Sequence, residues 1–142
     1  MTDEPRPTID YISDHVTLEW LDNHQIAVFT ILVNNRQNVK VWADKTETII
    51  GAWAVDKPYA VLHDVQTAIL SSYAQQRATK LLRLLQKRQL RGRYAVLVAD
   101  NVFGQTIMAF VNFTLRTRPE EGIHGQCFTS REAGLAWLRE QF

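Results

Sequence analysis

The chain has 142 residues, 46% of them apolar and 22% charged, with a formal net charge of +1. That length suits a single domain able to bury roughly 70% of its unfolded surface, and the balance is ordinary for a globular protein. The only cysteine, Cys127, excludes an intrachain disulfide and a cysteine-based zinc set, and is consistent with a reducing compartment.

No apolar run reaches the roughly 18 residues that a spanning helix needs. Residues 1–7 are acidic and proline-containing and lack the basic start and apolar core of a secretory signal, so the expected location is cytoplasmic. Charge is unevenly spread. Residues 1–64 hold ten acids and five bases, whereas residues 65–142 hold five acids and eleven bases. No acid lies between Asp64 and Asp100, an interval that carries Arg77, Lys80, Arg83, Lys87, Arg88, Arg91 and Arg93. Asymmetry of this kind marks a candidate anion-binding or interaction face.

Residues 1–13, with Pro5, Pro7 and scattered charge, read as a flexible tail. Val16–Trp20 alternates apolar and polar residues, and 26–33 is apolar and β-branched. The turn residues Asp22-Asn23-His24 between them predict an antiparallel hairpin. Val39, Trp42, Ala43, Thr46, Ile49, Ile50 and Trp53 recur at helical spacing. After Pro58, Tyr59–Leu62 reads as a short buried strand.

A long helix is predicted from about Thr67 to Leu90, with Asp64 or Thr67 as its N-cap and Gly92 as its C-terminal cap. Its apolar side includes Ala74, Ala78, Leu81, Leu82 and Leu85, with the bases largely opposite. The uncharged run between Arg93 and Asp100 has no alternation, as in a strand covered on both faces. Residues 102–117 carry both helical and strand-like spacing. Helix is favoured, because the preceding strand needs a cover before the next one. Pro119–Gly122 reads as a loop and Gln126–Phe128 as a last strand. Thr129 and Glu132 form a predicted capping box for a final helix over 132–140. The order is ββαβαβαβα, which implies a single α/β domain with a mixed, mostly parallel sheet.

Two stretches carry a family resemblance: Gly92–Gly104, Gly-Arg-Tyr-Ala-Val-Leu-Val-Ala-Asp-Asn-Val-Phe-Gly, and Cys127–Leu138, Cys-Phe-Thr-Ser-Arg-Glu-Ala-Gly-Leu-Ala-Trp-Leu. Together with Pro58–Asp64 they resemble the SpoIIAA-like, STAS-like group of small bacterial proteins, the fold of anti-sigma-factor antagonists. The resemblance spans roughly residues 16–140. It implies a β-α superhelix over 14–142 that acts by binding another protein or itself, with a homodimer as one form. It also implies a switch serine near the start of the helix after the buried strand, at Ser71 or Ser72. The usual Asp-Ser-(Ser/Thr)-Gly pattern is absent, with Tyr73 in the glycine's place. Distant relatives of this fold bind lipids, and a chain of this length is expected to leave little room for a lipid-sized cavity.

In open α/β sheets ligands gather beyond the carboxyl ends of the parallel strands. That edge would collect His63, Asp64, Thr67, Asp100 and Asn101 beside Ser71 and Ser72. A hydrolase reading makes Ser71 or Ser72 the nucleophile, His63 the base and Asp100 its orienter. The chain lacks the Gly-x-Ser-x-Gly elbow that would expose such a serine, and the bland alternative is that these polar groups cap helices. The bases Arg77, Lys80, Arg83, Lys87, Arg88 and Arg91 form a candidate interaction face. No aromatic interleaving or motif on that face points to nucleic acid. The four histidines lack metal-ligand spacing, so neither metal nor cofactor is expected. The reading is therefore a non-enzymatic interaction module. A binder of a small apolar or anionic ligand at the carboxyl edge is the alternative, and a weak hydrolase comes third.

Overall fold

A computed structural model describes residues 8–116 and 122–142. Three strands, β1 (Thr8–Ser13), β2 (Val16–Leu21) and β3 (Ile26–Ile31), open the chain as an antiparallel meander. Alternating units follow: α1 (Arg36–Ala52), β4 (Tyr59–Asp64), α2 (Ser72–Lys87), β5 (Gly92–Leu97), α3 (Val102–Arg116), β6 (Ile123–Phe128) and α4 (Arg131–Arg139). The strands lie in sequence order, β1 to β6, with β3 through β6 parallel. The α/β class and the mixed sheet match the expectation from sequence. So does the helix over 102–116.

Side chains alternate across the sheet, as strand geometry requires. Phe29, Ile31, Tyr59, Val61, Tyr94 and Val96 face one way and join the buried side chains of α1, α2 and α3. Ile26, Val28, Ala60, Leu62, Ala95 and Leu97 face the other way and meet Leu135 and Leu138 of α4. The strand 92–97 is thus covered on both faces. Helix α4 sits close to the sheet at Gly134, where a Cβ would come within 3.0 Å of Leu62 Cδ1. Three arginines fasten this helix: Arg93 to the Trp137 carbonyl and Glu140, Arg131 to Glu19, and Arg139 to Asp22.

Several local expectations are corrected. Thr8–Ser13 is a strand, paired to β2 from Thr8↔Trp20 to Ser13↔Val16, rather than part of a tail; residues 1–7 lie outside the described residues. Helix α2 starts at Ser72, not Thr67. The segment 65–71 is held off the helix by Val65 N–H on the Leu97 carbonyl and by the Thr67 hydroxyl on the Ile31 carbonyl. Gly92 opens β5 instead of capping α2. Its φ is +148° and a Cβ there would collide with the Tyr59 carbonyl, while Gln89 takes the left-handed position after the helix. Ser130, not Thr129, caps α4, its hydroxyl accepting from Ala133 N–H at 3.3 Å. Of the loop read at 119–122, residues 119–121 lie outside the described residues.

Candidate ligand-binding cavity

Helix α1 begins at Asn35, whose side chain accepts from Asn38 N–H at 2.8 Å. It lies over β1 to β3, with Val39, Trp42, Ala43, Thr46 and Ile50 buried and Trp42 reaching His63 of β4. Helix α2 is fastened to α1 by two arginines. Arg77 pairs with Asp44 at 2.6 Å and Glu47 at 3.1 Å, and Arg88 donates to the carbonyls of Ile50 and Trp53. The bases beside Asp44 hold its carboxyl down at about 2, the Lys40 hydrogen bond being the larger cause and the one from Arg77 the next. Lys80 stands 3.4 Å from Glu47. Three members of the expected basic face therefore bind groups of α1 within the chain. Arg83, Lys87 and Arg91 remain exposed, with no ion pair among the described residues.

Where α2 faces the sheet, it carries Ala74 and Ala78 on successive turns before its leucines begin. These small side chains leave a cavity of about 120 Å³. The sheet supplies Ile31, Tyr59, His63, Tyr94 and Val96. Helix α1 supplies Val39, Trp42, Thr46 and Ile50, and α3 supplies Ile107, Phe110 and Val111. The 65–71 segment closes the carboxyl end of the strands with Val65, Ala68, Ile69 and Leu70. Ile69 is half-exposed there, at the boundary between cavity and solvent. Space of this volume is comparable to an apolar protein cavity of about 150 Å³ that stays dry and accepts benzene.

The polar content of the cavity is small and uncharged. His63 is 8% exposed and lines it. Its Nδ1 accepts from the Trp42 indole N–H at 3.0 Å. An indole N–H can only donate, so the histidine proton is carried on Nε2. The side chains of Tyr59 and Tyr94 also line the cavity, and the hydroxyl end of Tyr94 packs against Gly125. Burial pushes His63 down to about 4, so it is neutral near pH 7. Burial likewise raises both tyrosines well above their usual range. The Thr46 hydroxyl is spent on the Trp42 carbonyl at 2.7 Å. The cavity is thus an apolar, partly open space whose polar lining residues, Asn34, Thr46, Tyr59, His63 and Tyr94, carry no fixed charge.

Of the residues expected at the carboxyl edge, only His63 lines this space. Asp64 accepts from Gln66, Thr67 bonds the Ile31 carbonyl, and Asn101 caps α3 by accepting from Gly104 N–H at 3.0 Å. Asp100 is exposed. Ser71 caps α2, accepting from Ala74 N–H at 3.1 Å, and Ser72 is exposed in the first turn. A serine–histidine–aspartate relay is not assembled, because Trp42 holds the histidine nitrogen that an aspartate would orient. Trp42, Ala74, Ala78 and Phe110 are site residues that sequence reasoning assigns to packing. A signal is present, since two alanines stand four apart where the stripe otherwise runs to leucine. Among the described residues, no cluster of His, Cys, Asp and Glu could hold a metal ion, and no helix is long and apolar enough to cross a membrane. No protein-family model matches the chain, and no curated protein matches it.

Proposed function

We propose that the chain is a non-enzymatic, STAS-like binding module whose cavity takes a small neutral molecule with an apolar body and one hydrogen-bond acceptor. The observation that carries this reading is His63, more than nine-tenths buried, which lines an apolar cavity in its neutral form with Nδ1 taken by Trp42. With Nδ1 occupied, Nε2–H is the histidine donor left for a ligand carbonyl, ester or hydroxyl oxygen. A carboxylate would not be welcome, because no cationic group lines the space to offset its desolvation. This moves the site from the solvent-facing carboxyl edge to the interior beneath it. The unbroken parallel order from β3 to β6 supports the STAS-like part of the reading, in which the occupied domain then presents its surface to another macromolecule.

Thermal melts test the ligand chemistry. Heptan-2-one should raise the melting temperature in proportion to the logarithm of its concentration above Kd. Heptanoate near neutral pH should not. The Ala78→Phe variant, which fills the cavity from α2, should lose the response. Equal shifts with ketone and carboxylate, or a response unchanged by Ala78→Phe, would overturn the reading.

A further inference from the structure

From Asn101 to Leu115 the chain carries no charged residue, yet α3 is not a buried helix. Gly104, Ile107 and Val111 face the core, while Val102 and Phe113 are each 66% exposed and Phe103 is 49% exposed. At helical spacing Val102, Thr106, Ala109 and Phe113 fall on one outward line, with Phe103 and Phe110 along its flank. Isolated apolar residues on a surface need no explanation, but a continuous stripe along a helix does. Phe110 also lines the cavity, so the stripe runs to the edge of the site described above. The neighbouring helix in the same layer, α2, turns Arg83 and Lys87 outward, four residues apart. Neither has an ion pair among the described residues, and the whole run from Val65 to Ala99 contains no acid.

We infer that this layer docks on an anionic lipid surface, with α3 seated among the acyl chains at the interface and Arg83 and Lys87 against the headgroups. The occupant is chosen by the two features together. An apolar stripe alone would fit many partners, but a helix uncharged up to its last residue, Arg116, beside unpaired positive charge of one sign matches a phase that is apolar below and negative at its rim. Docking in this orientation would turn the Phe110 edge of the cavity toward lipid, so that a neutral apolar ligand could pass from the bilayer without crossing water. That consequence rests on the ligand-binding reading; the docking itself does not.

Cosedimentation with vesicles tests it. The full chain should bind vesicles of phosphatidylcholine mixed with phosphatidylglycerol, bind pure phosphatidylcholine far less, and be released by added salt. Val102→Asp with Phe113→Asp should abolish binding. Removing Arg83 and Lys87 as alanines should weaken it about fivefold for each base. All four positions are exposed, so circular dichroism melts should be unchanged and a loss of binding cannot be assigned to unfolding. Ala78→Phe should still bind vesicles while losing the heptan-2-one response, which separates failure of docking from failure of the cavity reading. Binding that ignores the anionic lipid, or survives the two aspartates, would overturn the inference. So would gel filtration showing a dimer that Phe113→Asp splits, since the stripe would then be an interface between copies.

Discussion

The Trp42 indole donates to Nδ1 of His63 at 3.0 Å, joining the middle of α1 to the carboxyl-terminal half of β4. The two rings meet edge to face, and a face of the imidazole stacks on Phe29 at 5.6 Å, nearly parallel. One hydrogen bond thereby fixes the tautomer of a buried histidine and leaves its proton on Nε2.

That arrangement gives stability a defined pH dependence. An unfolded histidine titrates near 6.5, whereas burial holds His63 near 4 in the fold. Between these values the unfolded chain binds a proton that the folded chain refuses. Stability from this group is therefore complete above about 6.5 and falls as pH drops toward 4, by on the order of 3 kcal/mol in all. Asp44 titrates lower, at about 2, and so acts below this window. Urea unfolding across the window should show the decline in wild-type protein. The His63→Gln variant, which keeps an acceptor for Trp42 but does not titrate, should show much less of it. A flat wild-type profile would contradict the assignment.

Arg88 closes the end of α1 from another helix. Its guanidinium donates to the carbonyls of Ile50 at 2.7 Å and Trp53 at 2.6 Å, and the last turn of α1 has no basic residue of its own. Arg88→Met keeps much of the side-chain volume and removes the donors, and should cost about 2 kcal/mol by denaturant titration. Arg83→Met, on the exposed face of the same helix, should change stability by less than about 0.5 kcal/mol. Similar effects at both positions would mean that α2 is held by its leucines and not by this bridge.

Two glycines should respond in opposite senses to the same change. A Cβ on Gly104 would sit 1.7 Å from the Ala99 carbonyl oxygen, where the first turn of α3 closes on the end of β5. Relief requires the helix to move away from the strand, and Gly104→Ala should cost at least about 2 kcal/mol. Gly51 lies in the last turn of α1, where an added Cβ would meet nothing within 4 Å. Gly51→Ala should stabilise by about 0.5–1 kcal/mol through helix propensity alone. Melting temperatures of the two variants should straddle that of the parent.

Much of the fold is legible in the sequence because its signals are local. The stripe from Val39 to Trp53 and the uncharged run after Arg93 each state their burial in their own residues. The first strand does not, because Thr8–Ser13 is an edge strand whose order comes from pairing with β2 along its length. The start of α2 is hidden because Thr67 is spent on the Ile31 carbonyl, 36 residues earlier in the chain, leaving Ser71 to cap the helix. The cavity is illegible for a different reason. His63 and Trp42 lie 21 residues apart, and nothing in either segment says that α1 will turn its indole toward that strand. Polar residues at the carboxyl edge suggest a site by their type, yet most of them serve as caps and turn bonds.

The alanines of α2 offer the sharpest separation of stability from binding. Ala74 and Ala78 face the cavity where their neighbours Leu81 and Leu85 are buried. If the empty space only reflects imperfect packing, filling it should help the fold and nothing else. Ala78→Leu adds three carbons at a position already facing apolar side chains. Each buried methylene is worth about 0.8 kcal/mol, so the variant should gain about 2 kcal/mol if the cavity accepts it without strain. The same carbons would occupy the volume reserved for a ligand. The expected result is therefore a higher melting temperature together with a loss of the heptan-2-one response. A stabilised variant that still responds to the ketone would place the ligand elsewhere. A destabilised one would mean that the neighbouring side chains already close on this space, and the cavity would then be too small to hold cargo.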